Sequence, residues 1–165
     1  MKNGLKVIIA VAAVILVIVG IVAGSYNSLV TAQTAVETKQ ADIQTQLQRR
    51  ADLIPNFVST VKGYTKYEQE TLTAVTEARA KVGSANSAQS LSEADEELDK
   101  AISVWVNAVT EAYPDLKANS NYIALQDELA GTENRIAVAR KDYNEAVQSY
   151  NAMIKKFPKN IIAGM

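Results

Sequence analysis

The sequence predicts an all-α protein: a single N-terminal transmembrane helix continuing into an elongated antiparallel bundle of four long helices with coiled-coil-like packing. Three observations carry that reading. Val7 to Gly24 contains no charged or strongly polar side chain. From Tyr26 onward, apolar residues recur at three-four spacing, without sustained alternation of period two. Glycine (seven) and proline (three) are scarce, so the chain has few natural breaks.

The apolar run comes first. As a helix it spans roughly 27 Å, close to the roughly 30 Å of a bilayer's hydrocarbon core. A cleaved secretory signal is the alternative, since Lys2 and Lys6 precede the run and Val22-Ala23-Gly24 offers small residues to a peptidase. Signal cores are shorter, about 7–15 residues, and here helix-compatible sequence continues past the run, so a retained anchor is expected. Lys2 and Lys6 lie before the span, and Lys39 is the next basic residue after it. The positive-inside rule then puts the N-terminus in the cytoplasm and the rest outside. The expected division is 1–24 as N-terminus and anchor, 25–160 as the extracytoplasmic bundle, and 161–165 as a C-terminal tail. Gly20 and Gly24 form a G-x-x-x-G pair, a spacing that lets two membrane helices approach closely.

Four stripes follow. The first is Tyr26, Leu29, Val36, Ile43, Leu47 and Ile54, interrupted by Gln33, Gln40 and Arg50. Asp52-Leu53-Ile54-Pro55 places a capping residue before a proline, which lacks an N–H, and a turn or sharp kink is expected there. The second stripe is Val58, Val61, Leu72, Val75 and Val82, interrupted by Thr65, Glu68 and Arg79. Gly83 to Ser90 is small and polar and reads as a loop, with a helix start at Ser92 and Asp95. The third stripe is Leu91, Ala94, Leu98, Ile102, Trp105 and Val109, ended by Tyr113-Pro114. Tyr122, Leu125, Leu129, Ile136, Ala139, Tyr143, Ala146 and Tyr150 form the fourth, ended by Phe157-Pro158. Helices of about 27, 27, 22 and 36 residues with short connections favour a bundle.

Composition removes much chemistry. With neither cysteine nor histidine, the chain has no disulfide, no thiol nucleophile, no Ser-His-Asp triad and no Cys or His metal site. Seventeen basic and eighteen acidic side chains give the chain no electrostatic reason to bind nucleic acid without sequence preference. No glycine-rich phosphate loop is present. Glu93, Asp95, Glu96, Glu97 and Asp99 are acidic, but helical spacing spreads them around the axis, and a solvated face is expected rather than a calcium site. No catalytic, cofactor-binding or metal-ligating residue is assigned.

The candidate residues are structural. Arg50, Glu68 and Arg79 fall on apolar seams, and a buried Arg–Glu–Arg arrangement would fix register. Arg49, Arg50 and Asp52 cluster before Pro55, where Asp52 would cap a helix and one arginine would bridge to a neighbour. Tyr143-Asn144 and Tyr150-Asn151 repeat at one heptad, and Tyr26-Asn27 echoes them. Tyrosine on a seam buries its ring while its hydroxyl finds a partner, and asparagine specifies register, so these four are candidates for an interface.

Arg49-Arg50-Ala51-Asp52-Leu53-Ile54-Pro55-Asn56-Phe57-Val58, with Val61-Lys62-Gly63-Tyr64 and Glu68, resembles the LemA family. Tyr26-Asn27-Ser28-Leu29-Val30 looks like that family's first motif after the anchor. Tyr113-Pro114-Asp115-Leu116-Lys117-Ala118-Asn119 looks like its third-helix exit. Leu125-Gln126, Thr132-Glu133-Asn134, Ala139-Arg140, Tyr143-Asn144, Tyr150-Asn151 and Phe157-Pro158 look like its last helix. The resemblance spans Tyr26 to Asn160 in the expected order. It implies a bacterial single-pass membrane protein with a helical bundle outside the membrane and no established enzymatic activity. It also implies relatives tied to the cell envelope and, in magnetosome-forming bacteria, to the magnetosome membrane. Many members continue beyond the Phe-Pro motif into a further aromatic tail. This sequence stops at Met165, as expected of a tail that is absent or of a chain that is processed or incomplete.

The functional expectation is a non-enzymatic envelope protein that self-assembles as a scaffold. The lipid bilayer and further copies of the chain are its partners, with no cofactor and no nucleic acid. The alternative is an extracytoplasmic adaptor or sensor that binds an envelope membrane protein or a small ligand.

Overall fold

A computed structural model describes residues 2–62 and 69–164. The described residues are almost entirely helical and contain no strand. Helix α1 runs Lys2–Lys62, α2 Gln69–Ser84, α3 Ala88–Ala112, α4 Ser120–Ile154 and α5 Lys159–Ala163, with a short 3-10 helix at Pro114–Ala118. They fall into two compact units. The first holds the described residues through Lys39 and from Asp142 onward; the second is Gln40–Lys141.

Of the turn or sharp kink expected at Pro55, the turn does not occur: α1 continues through the proline. Ile43, Leu47, Arg50, Ile54, Phe57 and Val61 are buried, at intervals of four, three, four, three and four. One uninterrupted seam therefore crosses the proline, and burial on both sides holds the segment helical. Pro55 itself lies on the exposed side of α1, so its ring displaces no core side chain. What it costs is the hydrogen bond that its missing N–H would have given to the Ala51 carbonyl. Because the register never restarts, Phe57 takes the core position expected for Val58, which is only half-buried. Tyr26, expected on the first seam, is 58 % exposed.

Helices α2 and α3 form a hairpin around Ala85–Ser87, a loop shorter than the Gly83–Ser90 expected. The start of α3 also lies earlier than Ser92. Ser87 caps it: Ser87 Oγ accepts from Ser90 N at 3.1 Å, and Ser90 Oγ accepts from Ser87 N at 3.0 Å. This reciprocal pair satisfies two donors that a helix start leaves open. The third stripe is as expected, with Leu91, Ala94, Leu98, Ile102, Trp105 and Val109 all buried. Tyr113 ends α3, and Asn119 Oδ1 accepts from the backbone of Asn121 and Tyr122 to open α4.

Helix α4 buries Tyr122, Leu129, Thr132, Ile136 and Ala139. It ends at Ile154, slightly before the expected Phe157-Pro158, and the chain then adds the short helix α5. Helix α5 runs into the stretch 161–165 that the sequence sets apart as a C-terminal tail.

In the first unit, the apolar window of α1 has a mean hydropathy of 3.2 and none of it is buried. By length and composition this helix is able to cross a membrane. Lys39 Nζ lies 3.3 Å from Asp142 Oδ2. Further along, Ile162 lines an apolar groove with Ile18, Val19, Val22, Ala23 and Tyr26. The returning C-terminal segment therefore runs opposite to α1 within this unit.

Candidate functional site

The α1 seam carries one charge. Arg50 sits between Leu47 and Ile54 and is 4 % exposed. A guanidinium removed from water needs counter-charge and hydrogen-bond acceptors, or it destabilises the fold. Helix α3 supplies both. Arg50 Nη1 donates to Asp95 Oδ1 at 3.3 Å, and Nη2 contacts the carboxylate of Asp99. From α4, Arg140 Nη2 donates to the other Asp95 oxygen at 2.8 Å. Asp95, itself 3 % exposed, is bracketed by two guanidinium groups. Three helices are thereby joined at one level.

Burial raises the Asp95 carboxyl above its ordinary range. Arg140 and then Arg50 oppose the rise, while Asp99 adds to it. The cluster is not fully satisfied. Arg50 Nε and Gln46 Oε1, one helical turn apart on α1, are buried without hydrogen-bond partners. Beside the cluster opens a groove of about 380 Å³, lined among others by Arg50, Asp99, Ser103, Gln126 and Glu133.

Two turns along α1, an aromatic cluster continues the same seam. The Phe57 ring meets Trp105 at 5.0 Å between centroids and Tyr122 at 5.2 Å, both inclined rather than stacked. Such geometries suit the ring quadrupoles. Tyr122 is buried, so its hydroxyl needs partners. Thr110 uses its proton on the Val106 carbonyl, which leaves Tyr122 to donate to Thr110 Oγ1 at 2.8 Å and to accept from Gln126 Nε2 at 3.1 Å.

At the surface, Arg49 Nη2 and Arg135 Nη1 both reach Glu128 Oε1, at 2.8 and 3.3 Å. Arg135, then Arg49, holds the Glu128 carboxyl below its ordinary range. Arg79 Nη2 lies 3.7 Å from Asp52 Oδ1. Asp52 therefore makes a side-chain bridge, and as a residue inside α1 it is no N-cap.

Of the candidate network Arg50, Glu68 and Arg79, Glu68 lies outside the described residues. The two arginines take different carboxylates, Arg50 those of Asp95 and Asp99 and Arg79 that of Asp52. Gly20 and Gly24 face open space: a methyl group added at either would meet no atom within 4 Å. Tyr143 and Tyr150 are half-buried, and Asn144 and Asn151 are exposed. The acidic stretch of α3 is not wholly a solvated face, because Asp95 is core. The sequence carries a signal for this: Leu91, Ala94, Asp95, Leu98 and Ile102 share one helical face, so Asp95 occupies a stripe position. Arg140 follows Ala139 at the edge of the α4 stripe in the same way. Among the described residues, no group of three Asp or Glu side chains is placed to hold a metal ion. The cluster ties α1, α3 and α4 together through two arginines and the carboxylates of Asp95 and Asp99.

The family model described as the LemA family matches residues 39–165. The chain is 29 % identical to Protein LemA of Metamycoplasma hominis, over 85 % of this chain and 64 % of that protein. It is 25 % identical to Magnetosome protein MamQ 2 of Paramagnetospirillum magneticum, over 84 % of this chain and 60 % of that protein. Magnetosome protein MamQ of Magnetospirillum gryphiswaldense is 22 % identical over the same shares. The chain thus spans about three-fifths of the length of the curated relatives it matches.

Proposed function

The chain belongs to the LemA family, and from that premise we propose that it is a non-enzymatic, single-pass membrane protein of the bacterial cell envelope that self-assembles as a helical scaffold. One observation carries the reading. A wholly exposed apolar window lies in the same helix, α1, as the buried seam from Ile43 to Val61. Apolar side chains exposed on every face have no place in water, and a bilayer is the medium that accepts them. The anchor and the start of the core are then one piece of secondary structure, with the N-terminus cytoplasmic and the bundle outside.

Self-assembly is supported by what the fold leaves uncovered. Gly20 and Gly24 offer a smooth path for a second helix. Val104, Ile123 and Val138 are 43–53 % exposed. Two measurements test the reading. Alkaline carbonate extraction of membranes should leave the full-length chain in the pellet, and V14D/V17D should release it. In mild detergent, G20I/G24I should lower the particle mass. Wild-type protein recovered wholly in the soluble fraction would remove the anchor and the scaffold together.

A second reading is favoured by the groove beside Arg50: an adaptor that takes a small ligand or a membrane-protein partner there. A thermal-shift screen and cross-linking in cells separate the two readings. Stabilisation by a ligand, abolished in Q126A, supports the adaptor.

A further inference from the structure

We propose that the C-terminal segment from Lys155 to Ala163 is a second membrane contact, a basic and apolar element that lies in the anionic headgroup region beside the end of the α1 span. This inference rests on the anchor reading above. Three observations within the first unit carry it. The first is position: Ile162 lines one groove with Ile18, Val19, Val22, Ala23 and Tyr26, the last turns of the apolar run and the residues just past it. If α1 spans a bilayer to about Gly24, Ile162 is held at the boundary between hydrocarbon and headgroups.

The second is exposure. Phe157 is 81 % and Ile161 57 % exposed, and Tyr26, on α1 at the same level, is 58 % exposed. Aromatic side chains at this depth belong to the interface, where a ring is half in apolar medium and half in water. In water alone, these groups would remain uncovered. The third is charge. Lys155, Lys156 and Lys159 lie within five positions, and Glu145 is the last acidic residue of the chain. Clustered lysines at a membrane boundary are drawn to anionic lipid, and their stems lie along the apolar layer.

A bilayer covers these residues better than a second copy does. The uncovered apolar groups continue those of the span itself, and the lysines complement anionic headgroups. The groove also leaves the glycine pair open. At about 100° per residue, Gly20 and Gly24 point roughly opposite to Val22 and Tyr26. The C-terminal contact and helix self-association therefore use different faces of α1.

Because the chain has no cysteine, single-cysteine variants report position without background. Full-length I15C, I161C and N107C would carry an environment-sensitive fluorophore in vesicles of phosphatidylcholine and phosphatidylglycerol. Nitroxide-bearing lipids and aqueous iodide serve as quenchers. At Ile161 we expect quenching by nitroxides high on the acyl chain and protection from iodide. At Ile15, deep nitroxides should quench, and at Asn107 only iodide. K155Q/K156Q/K159Q in the I161C background should reduce nitroxide quenching at Ile161 and leave Ile15 unchanged. A label at Ile161 reached by iodide, or shielded from both quenchers, would overturn the proposal while quenching at Ile15 upholds the anchor. Loss of lipid quenching at Ile15 as well overturns both.

Discussion

Arg50 and Asp95 set the chemistry of the core. Removing one partner of a buried pair leaves the other charge uncompensated, at about 3–5 kcal/mol. Arg50→Ala is therefore expected to lower the unfolding free energy of the full-length protein by about 3 kcal/mol, since Arg140 still faces Asp95. Replacing the arrangement with apolar residues of similar size, R50M/D95L/R140L, should recover most of that loss. Urea unfolding in detergent, followed by helical circular dichroism, measures both. The same pair gives a pH dependence. The folded-state carboxyl of Asp95 is raised, so the folded chain binds that proton more tightly than the unfolded chain. Its contribution is complete below the ordinary carboxylate range and is lost as pH rises through the raised folded value. Glu128, held low by Arg135 and Arg49, acts in the opposite sense. Its contribution is present above the ordinary range and is lost as pH falls through the folded value. D95N should therefore steepen the net loss of stability in acid, and E128Q should flatten it. Unfolding midpoints across an acid series give the comparison.

Whole elements obey the seam more than the breaker. Pro55 reads as a stop in the sequence because proline deprives a helix of a donor. It does not stop α1, because Ile54 and Phe57 continue a buried register that outweighs one lost hydrogen bond. P55A should raise stability by up to about 3 kcal/mol, read as a later unfolding midpoint, since its ring faces solvent. Ser87→Ala should cost about 1 kcal/mol by removing the reciprocal cap of α3. The third stripe is legible because its run is long, regular and free of proline, whereas in the fourth Tyr122, Leu129, Ile136 and Ala139 are buried and Leu125, Tyr143, Ala146 and Tyr150 only half-buried. The start of α3 is not legible, because Ser87, Ser90 and Ser92 are all plausible caps by residue type. Only the backbone geometry chooses among them. Asp95 is hard to place for a related reason: its charge suggests solvent, while its register with Leu91 and Leu98 assigns it to the core. Its partner Arg140 lies far away in sequence, and no local pattern pairs the two.

At the scale of the molecule, a near-zero net charge conceals local asymmetry. The chain carries one negative charge overall, yet no acidic residue follows Glu145 while three lysines do. Bulk composition excludes cysteine and histidine chemistry, but it does not reveal a basic end returned to the level of Val22. Phe57→Ala, which removes the ring shared by Trp105 and Tyr122, should cost about 3–5 kcal/mol. It should also shift the emission of Trp105, the sole tryptophan, to longer wavelength.

A membrane-held building block should assemble with further copies of itself. The mass of the full-length protein in lipid discs or mild detergent, across a concentration series and with negative-stain images of the same fractions, tests it most directly. Regular particles at a multiple of 17.8 kDa are expected, and they should be lost in G20I/G24I. A monodisperse monomer at every concentration would contradict it.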